Sequence, residues 1–249
     1  MLSPPPLRND CFALPEGVDW MPVSLALERL KERMQCCVKV QTLLLDQALG
    51  AFLAQEVSAP NAHPPHANAA VDGYGFDGRL SQEAGALHMP LARGRAAAGN
   101  PFDGALPYGE ALRVLTGAPL PAGVDTVILQ EDVSSDGERI AFNGPLKRGA
   151  NTRNAGEDVT QGTKLFNAGH RLEVGDLALL ASVGLGQVPV FQRLKIGILS
   201  TGDELQEIGQ PLAQGQIFDA NRPMLLALID RLGYQAIDLG RASDAVSYT

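Results

Sequence analysis

Residues 113–131, RVLTGAPLPAGVDTVILQE, constrain this chain more than any other stretch. Two short apolar runs, 113–115 and 126–129, are joined by TGAPLPAG, whose prolines and glycines exclude a helix and stiffen the connection. The spacing predicts two strands bridged by a rigid loop at the rim of a sheet. There the Thr116 hydroxyl and the amides beside Gly117 are held at a fixed point, with two uses open to them: closing a turn, or donating to an anion. With 27 Gly and 17 Pro in 249 residues, the chain stays below the roughly 25–30% of low-complexity sequences. Its Gly and Pro pairs therefore mark turns between short strands, and 45% hydrophobic residues suffice for more than one core.

Charge narrows the function classes. A net charge of −8 argues against a nucleic-acid surface, which needs clustered Lys and Arg. An anionic ligand would instead be held by backbone amides, helix N-termini or a divalent cation on carboxylates. Cys11, Cys36 and Cys37 make neither a disulfide framework nor a zinc pattern. No apolar run reaches the roughly 18 residues of a membrane span, and proline stands where a signal peptide needs an apolar core. The expected location is the cytoplasm, with no membrane partner.

Residues 1–22 are proline-rich and aperiodic, the pattern of a mobile tail. Ser24 is the expected N-cap of an amphipathic helix with Val23, Leu27, Leu30 and Met34 on one face. A strand follows over 38–45, then a helical turn capped by Asp46, then extended chain over 52–57 that ends in a proline loop at 60–65. His63 and His66 flank that loop's last prolines, with no further metal ligands in the neighbouring sequence. Short strands at 87–91, 111–115, 126–129 and 139–142, separated by tight turns, predict a small β-barrel or sandwich.

Beyond it come the segment KLFNAGHRL, a buried helix over 174–183 and a strand over 187–191. Gly184-Leu185-Gly186 is a turn rather than a dinucleotide fingerprint, because no helix follows it. Residues 195–199 read as a buried parallel strand, 223–232 as a helix and 234–239 as the next strand, which together make a βαβ unit. The loop Ser200-Thr201-Gly202-Asp203-Glu204 then falls at the carboxyl end of its first strand, where sheets of this class bind ligands. It can form an amide-lined anion cradle, or Ser200, Thr201 or Asp203 can cap the next turn.

Five separated segments carry a family resemblance. NAAVDGYG at 68–75 is similar to N-S-A-M-D-G-Y-A, NTRNAGED at 151–158 to N-x-R-x-x-G-E-D, and DANR at 219–222 to D-x-N-R. With the 113–131 stretch and STGDEL at 200–205, in this order, the chain resembles the molybdopterin molybdenumtransferase family, the MoeA and gephyrin E-domain group. The resemblance implies a multidomain α+β fold. After the tail at 1–22, residues 23–63 and 160–192 would form a β-rich discontinuous domain, with a small β-barrel or sandwich domain inserted at 64–159. Residues 193–249 would begin an α/β doubly wound, molybdopterin-binding domain, with Thr249 ahead of the family's later S-G-G and P-G-N-P loops.

The implied activity is insertion of molybdenum from molybdate into adenylylated molybdopterin, with release of AMP and dependence on Mg²⁺. The resemblance also implies a homodimer in which the β-domain of one subunit completes the site of the other, with molybdoenzymes or other cofactor-biosynthesis proteins as further partners. The alternative is a non-catalytic paralogue that binds the pterin nucleotide or dimerises with a full-length relative.

Carried onto matching positions, the resemblance makes Asp72 a carboxylate facing the metal or molybdate and Thr116 an oxyanion contact. Without it, Asp72-Gly73 reads as a tight turn. Asp158, beside Glu157, is a further catalytic candidate that a salt bridge would equally explain. Arg153 is the basic residue expected to reach a phosphate, in preference to Arg113, Lys147 and Arg148. Ser200, Thr201, Gly202 and Asp203 would line the substrate cradle, while Asp219 and Asn221 would contact the nucleotide or pterin. A carboxylate in an anion cradle repels its ligand unless it holds a cation, so Glu204, with Asp244, is assigned to Mg²⁺ and a catalytic role. Asn154 and Ala155 stand where the family is arginine-rich, which weakens anion binding there.

Overall fold

The computed structural model describes residues 21–244, so nearly all of the tail expected over 1–22, and Cys11 with it, lies outside the described residues. The chain divides into two units after Val38. In the first, α1 (Val23–Arg33) forms where the apolar spacing predicts it. Its N-cap is Pro22 rather than Ser24, and no side chain caps it. Proline's fixed φ, here −55°, suits a helix entrance, which leaves Ser24 inside the first turn. Lys31 and Arg33 in the last turn complement the helix dipole.

The second unit starts with β1 (Val40–Leu44) and β2 (Val57–Ser58). Between them, Leu45–Gln47 makes a 3₁₀ turn whose N-cap is Leu44; Asp46 lies within the turn and does not cap it. The middle of the chain is β-rich: β3 (Asn68–Ala69), β4 (Gly73–Phe76), β5 (Gly85–Ala96), β6 (Ala111–Val114), β7 (Thr126–Leu129), β8 (Ser134–Ser135), β9 (Arg139–Gly144) and β10 (Thr152–Arg153). Then come β11 (Lys164–Phe166), α2 (Val174–Ser182) and β12 (Gln187–Phe191). The last stretch is β13 (Lys195–Thr201), β14 (Leu205–Gln206), β15 (Ile217–Phe218), α3 (Asn221–Arg231) and β16 (Gln235–Ala242).

Six of these strands make one sheet in the order β7-β4-β6-β5-β9-β8. It is an open, curled sheet rather than a closed barrel or a two-sheet sandwich. The cause is β5, whose first half pairs antiparallel with β9 and whose second half pairs parallel with β6, across a register shift between Leu91 and Arg95. One long strand thus belongs to two differently directed ladders, and the sheet bends there. Both faces are buried near its centre. Leu112, Val114 and Val127 enter one core with Ala69, Leu106 and Val124, whereas Ala111 and Ile128 enter another with Phe76, Ile140 and Phe142. This is why the central strands read as apolar runs and not as alternation.

A third core joins distant parts of the sequence: Leu53, Val57, Leu172, Leu180, Val188 and Val190 pack together. β1 pairs antiparallel with β12, and β2 with β11. α2 begins in a reciprocal capping box between Glu173 and Asp176. Gly184 (φ +86°) turns the chain from α2 towards β12.

β13 and β16 pair in parallel through α3, giving the βαβ unit that the sequence predicts. β13 is not fully buried as expected: its residues alternate, and Leu199 is 52% exposed. One helix packs on a two-stranded pair and covers one face, so every second residue remains open.

Candidate functional site

The first cluster lies at the start of β4. The Asp72 Oδ1 atom accepts from the Thr116 amide and from the Thr116 hydroxyl, both at 2.7 Å. The turn that presents Thr116 spans Leu115 to Ala118, closed by the Ala118 N–H on the Leu115 carbonyl at 2.9 Å, with Gly117 at φ +79°. Sequence reasoning left turn closure and anion donation both open for Thr116. In the structure its two donors converge on a carboxylate of the chain itself. The Thr116 hydroxyl, then its amide, and more weakly the Arg113 charge hold the Asp72 carboxyl below the usual carboxylate range. Asp72 Oδ2 accepts from no described residue, which leaves an ionised oxygen for a cation or a metal centre.

Asp72-Gly73 is not a tight turn. Gly73 opens a strand paired on both sides, with β6 and with β7, and its φ is not positive. Glycine is required by contact: a Cβ there would lie 1.9 Å from the Ile128 carbonyl oxygen. Arg113, opposite Tyr74 in the β4/β6 register, lies over the Tyr74 ring at 5.1 Å. It donates to the Gly73 carbonyl at 3.3 Å and to the Gln130 side chain. The neighbourhood of Asp72 is therefore pinned from two strands.

The second cluster is the 151–158 motif. Asn151 has φ +55°, a conformation Asn tolerates better than most residues, and its side-chain amide donates to the Val127 carbonyl at 2.9 Å. Gly156, at φ +70°, turns the chain so that Glu157 and Asp158 meet Arg153. Arg153 Nε donates to Glu157 Oε1 at 3.0 Å, and its Nη2 donates to Asp158. Its guanidinium is thus held by two carboxylates rather than extended as an unpaired anion receptor. Glu157, which also accepts from the Asn154 amide at 3.0 Å, is held below the usual range by Arg153 first and that amide second. His63 Nε2 lies 3.8 Å from Asp158 Oδ2.

The third cluster is the loop at the end of β13. The Ser200 hydroxyl donates to Asp219, whose other oxygen accepts from the Arg222 amide at 3.1 Å. Asp219 therefore ties the tip of β13 to the first turn of α3, and both its oxygens are engaged within the chain. The Ser200 bond is the main reason its carboxyl stays below the usual range. Asn221 is the exposed first residue of α3. Gly202 is buried at φ +140°, and a Cβ there would meet the Glu204 carboxylate at 2.5 Å. Thr201, Asp203 and Glu204 are exposed. Asp203 and Asp244 exchange long bonds, each amide donating to the other's carboxylate at 3.4 and 3.3 Å.

Among the described residues, no three His, Cys, Asp or Glu side chains gather as a metal site. No hydrogen bond or ion pair among them links the three clusters to one another. Sequence reasoning missed Arg222, although it stands in the DANR match. Nε and Nη2 of this residue donate to the two oxygens of Asp238 on β16, each at 2.8 Å, and Nη1 donates to Glu207 at 2.8 Å. The partners are 15 and 16 residues away in sequence, so only the βαβ crossover brings them together.

A curled open sheet with a rim carboxylate, followed by a parallel βαβ unit, places the chain in a β-rich class with few helices. The comparisons with known proteins identify the family within it. The profile of the MoeA N-terminal region, domains I and II, matches residues 21–184. The molybdopterin molybdenumtransferase of Haemophilus influenzae is 38% identical over 220 residues, covering 88% of this chain and 54% of that protein. That of Synechococcus elongatus is 35% identical over 230 residues, covering 89% of this chain and 56% of that protein. The crystal structure of a molybdopterin biosynthesis MoeA protein from Pyrococcus horikoshii superimposes with a TM-score of 0.82 at 31% identity, over 91% of this chain and 58% of that one. The chain belongs to the MoeA family of molybdopterin molybdenumtransferases. It spans about half the length of the curated relatives it matches.

Proposed function

We propose that the chain acts in molybdenum cofactor biosynthesis, inserting molybdenum from molybdate into adenylylated molybdopterin with release of AMP. The observation that carries this reading is the Asp72 carboxylate, aimed by the Thr116 hydroxyl and amide at 2.7 Å, which joins two of the segments that resemble the family. A carboxylate held ionised at a sheet rim, with one oxygen unclaimed among the described residues, suits a metal centre. In this reading Ser200, Thr201, Gly202 and Asp203 line the pterin-nucleotide cradle, beside Asp219 and Asn221. Asp158 is a supporting catalytic carboxylate, and Arg153 meets a phosphate by exchanging a carboxylate partner.

Glu204 and Asp244 would hold Mg²⁺. Two carboxylates completed by water and ligand phosphate oxygens fit that ion, which rarely takes an all-protein cage. Its charge would offset that of the phosphate. The domain division at 64 and 160 and the start of the α/β domain near 193 follow the same reading. It is supported by the shared core of 40–58 and 164–191 and by the parallel pairing of β13 with β16. A homodimer belongs to the same reading: among the described residues no hydrogen bond or ion pair links the Asp72 cluster to the 200–204 loop, as expected when each completes the other's site across two chains. The cytoplasm is the proposed location, and among the described residues no helix is long and apolar enough to cross a membrane.

A second reading, association without turnover, is favoured by the open apolar surface of the βαβ unit, where Leu199 and Leu239 are 52% and 58% exposed. AMP release from adenylylated molybdopterin, measured with Mg²⁺ and molybdate, separates the two. Turnover that is lost in Asp72→Asn supports the transferase. Its absence in the unmodified chain supports association.

A further inference from the structure

Three carboxylates converge on one arginine beside the 200–204 loop. The Arg222 side chain is only 18% exposed, whereas those of Asp238 and Glu207 are 42% and 60% exposed. Its planar fork grips Asp238 through Nε and Nη2 while Nη1 reaches Glu207, three bonds of 2.8 Å. Lysine cannot serve two carboxylates in this way, because its charge is a single point. The third carboxylate, Asp219, takes the Arg222 backbone amide at 3.1 Å and holds the Ser200 hydroxyl. Asp238 is itself fixed by the Gly240 amide at 2.8 Å. The start of α3, the middle of β16 and the residue after β14 are thus joined at one cation.

We propose that Arg222 is a positioning residue for the Ser200 edge of the candidate site, an inference that rests on the functional reading above. It acts through Asp219. By fixing the first turn of α3 against β16 and the loop after β14, it sets the direction of the Asp219 carboxylate, and that carboxylate sets the Ser200 hydroxyl. It also supplies positive charge beside Asp219 and Asp238, both held below the usual carboxylate range, Asp238 chiefly by the Arg222 bond. Without the cation, like charges would push α3 from β16 and turn Ser200 loose.

The test uses the 249-residue chain and its Arg222→Ala, Arg222→Lys and Glu207→Gln variants. Carboxyl NMR follows the Asp219 titration, and amide exchange follows residues 200–202. Arg222→Ala should raise the Asp219 midpoint towards 3.8 and speed exchange at 200–202 about tenfold, as expected for loss of a charge-assisted bond. Arg222→Lys should restore part of both. Glu207→Gln, which removes only the most exposed partner, should speed exchange about two- to threefold with an unchanged melting temperature. If Arg222→Ala does not fold, the other two variants decide.

The proposal is overturned if Arg222→Lys and Glu207→Gln leave the Asp219 midpoint and the local exchange at wild-type values. Binding of adenylylated molybdopterin to the unmodified chain is measured in parallel. Failure there refutes the functional reading, while the NMR result still decides the role of Arg222.

Discussion

Replacing Gly73, a strand residue, by alanine should destabilise the sheet more than the same change at a glycine in one of its turns. The built methyl group lies 1.9 Å from the Ile128 carbonyl oxygen, 2.9 Å from the Ile128 carbonyl carbon and 3.0 Å from Val127 Cγ1. All but the last are backbone, so no rotamer change relieves the clash, and β4 is held on both sides by β6 and β7. Overpacking ordinarily costs about 1–3 kcal/mol, and a clash of this depth against a central strand should exceed about 4 kcal/mol. Gly137→Ala is the control. That glycine sits at φ +92° with no atom within 4 Å of its built Cβ, so alanine there costs about 1–2 kcal/mol of backbone strain alone. Urea denaturation of both variants gives the difference. A Gly73→Ala chain no less stable than Gly137→Ala would refute the close-approach account of the DG pair.

Three further outcomes follow from the same geometry. Arg79 holds the Asp77 carboxyl down to about 2 from an ordinary 3.8, so this group's stabilisation is complete above 3.8 and is lost as pH falls through 2. Asp77→Asn should flatten acid unfolding in that window and remove about 1–2 kcal/mol at neutral pH, a figure reduced because the Arg79 side chain is 64% exposed. Thr116→Val should raise the Asp72 titration midpoint by carboxyl NMR without bringing it to 3.8, since the Thr116 amide bond remains. Asp176→Ala should cost about 1 kcal/mol in denaturant melts, because Asp176 caps α2 and also meets His170 at 2.7 Å.

What could be read beforehand was whatever depends on local pattern. The strands at 126–129 and 187–191, the helix at 174–183 and the βαβ unit follow from periodicity and turn chemistry. Three of the five motif segments, 68–75, 113–131 and 151–158, fall within the stretch that matches the family. What resisted reading was geometry that residue type and spacing do not fix. Gly73 looked like a turn residue because DG pairs usually are, and only the approach of β7 shows that it is a spacer. The pairing of Arg153 with Glu157 and Asp158 depends on the reversal at Gly156, which spacing alone does not reveal. Ser24 and Asp46 have the right chemistry for caps but stand two positions past the residues that cap, Pro22 and Leu44. The fate of Arg222 needed the crossover that brings β16 beside β13.

The central claim is that the Asp72 cluster and the 200–204 loop work in one site assembled from two chains. Mixing the Asp72→Asn and Glu204→Gln chains tests it most directly, with AMP release from adenylylated molybdopterin read in the presence of Mg²⁺ and molybdate. Each variant alone should be inactive. In a mixed dimer one of the two sites is intact, so the equimolar mixture should recover about a quarter of the unmodified activity. A mixture no more active than its separate components would contradict the account.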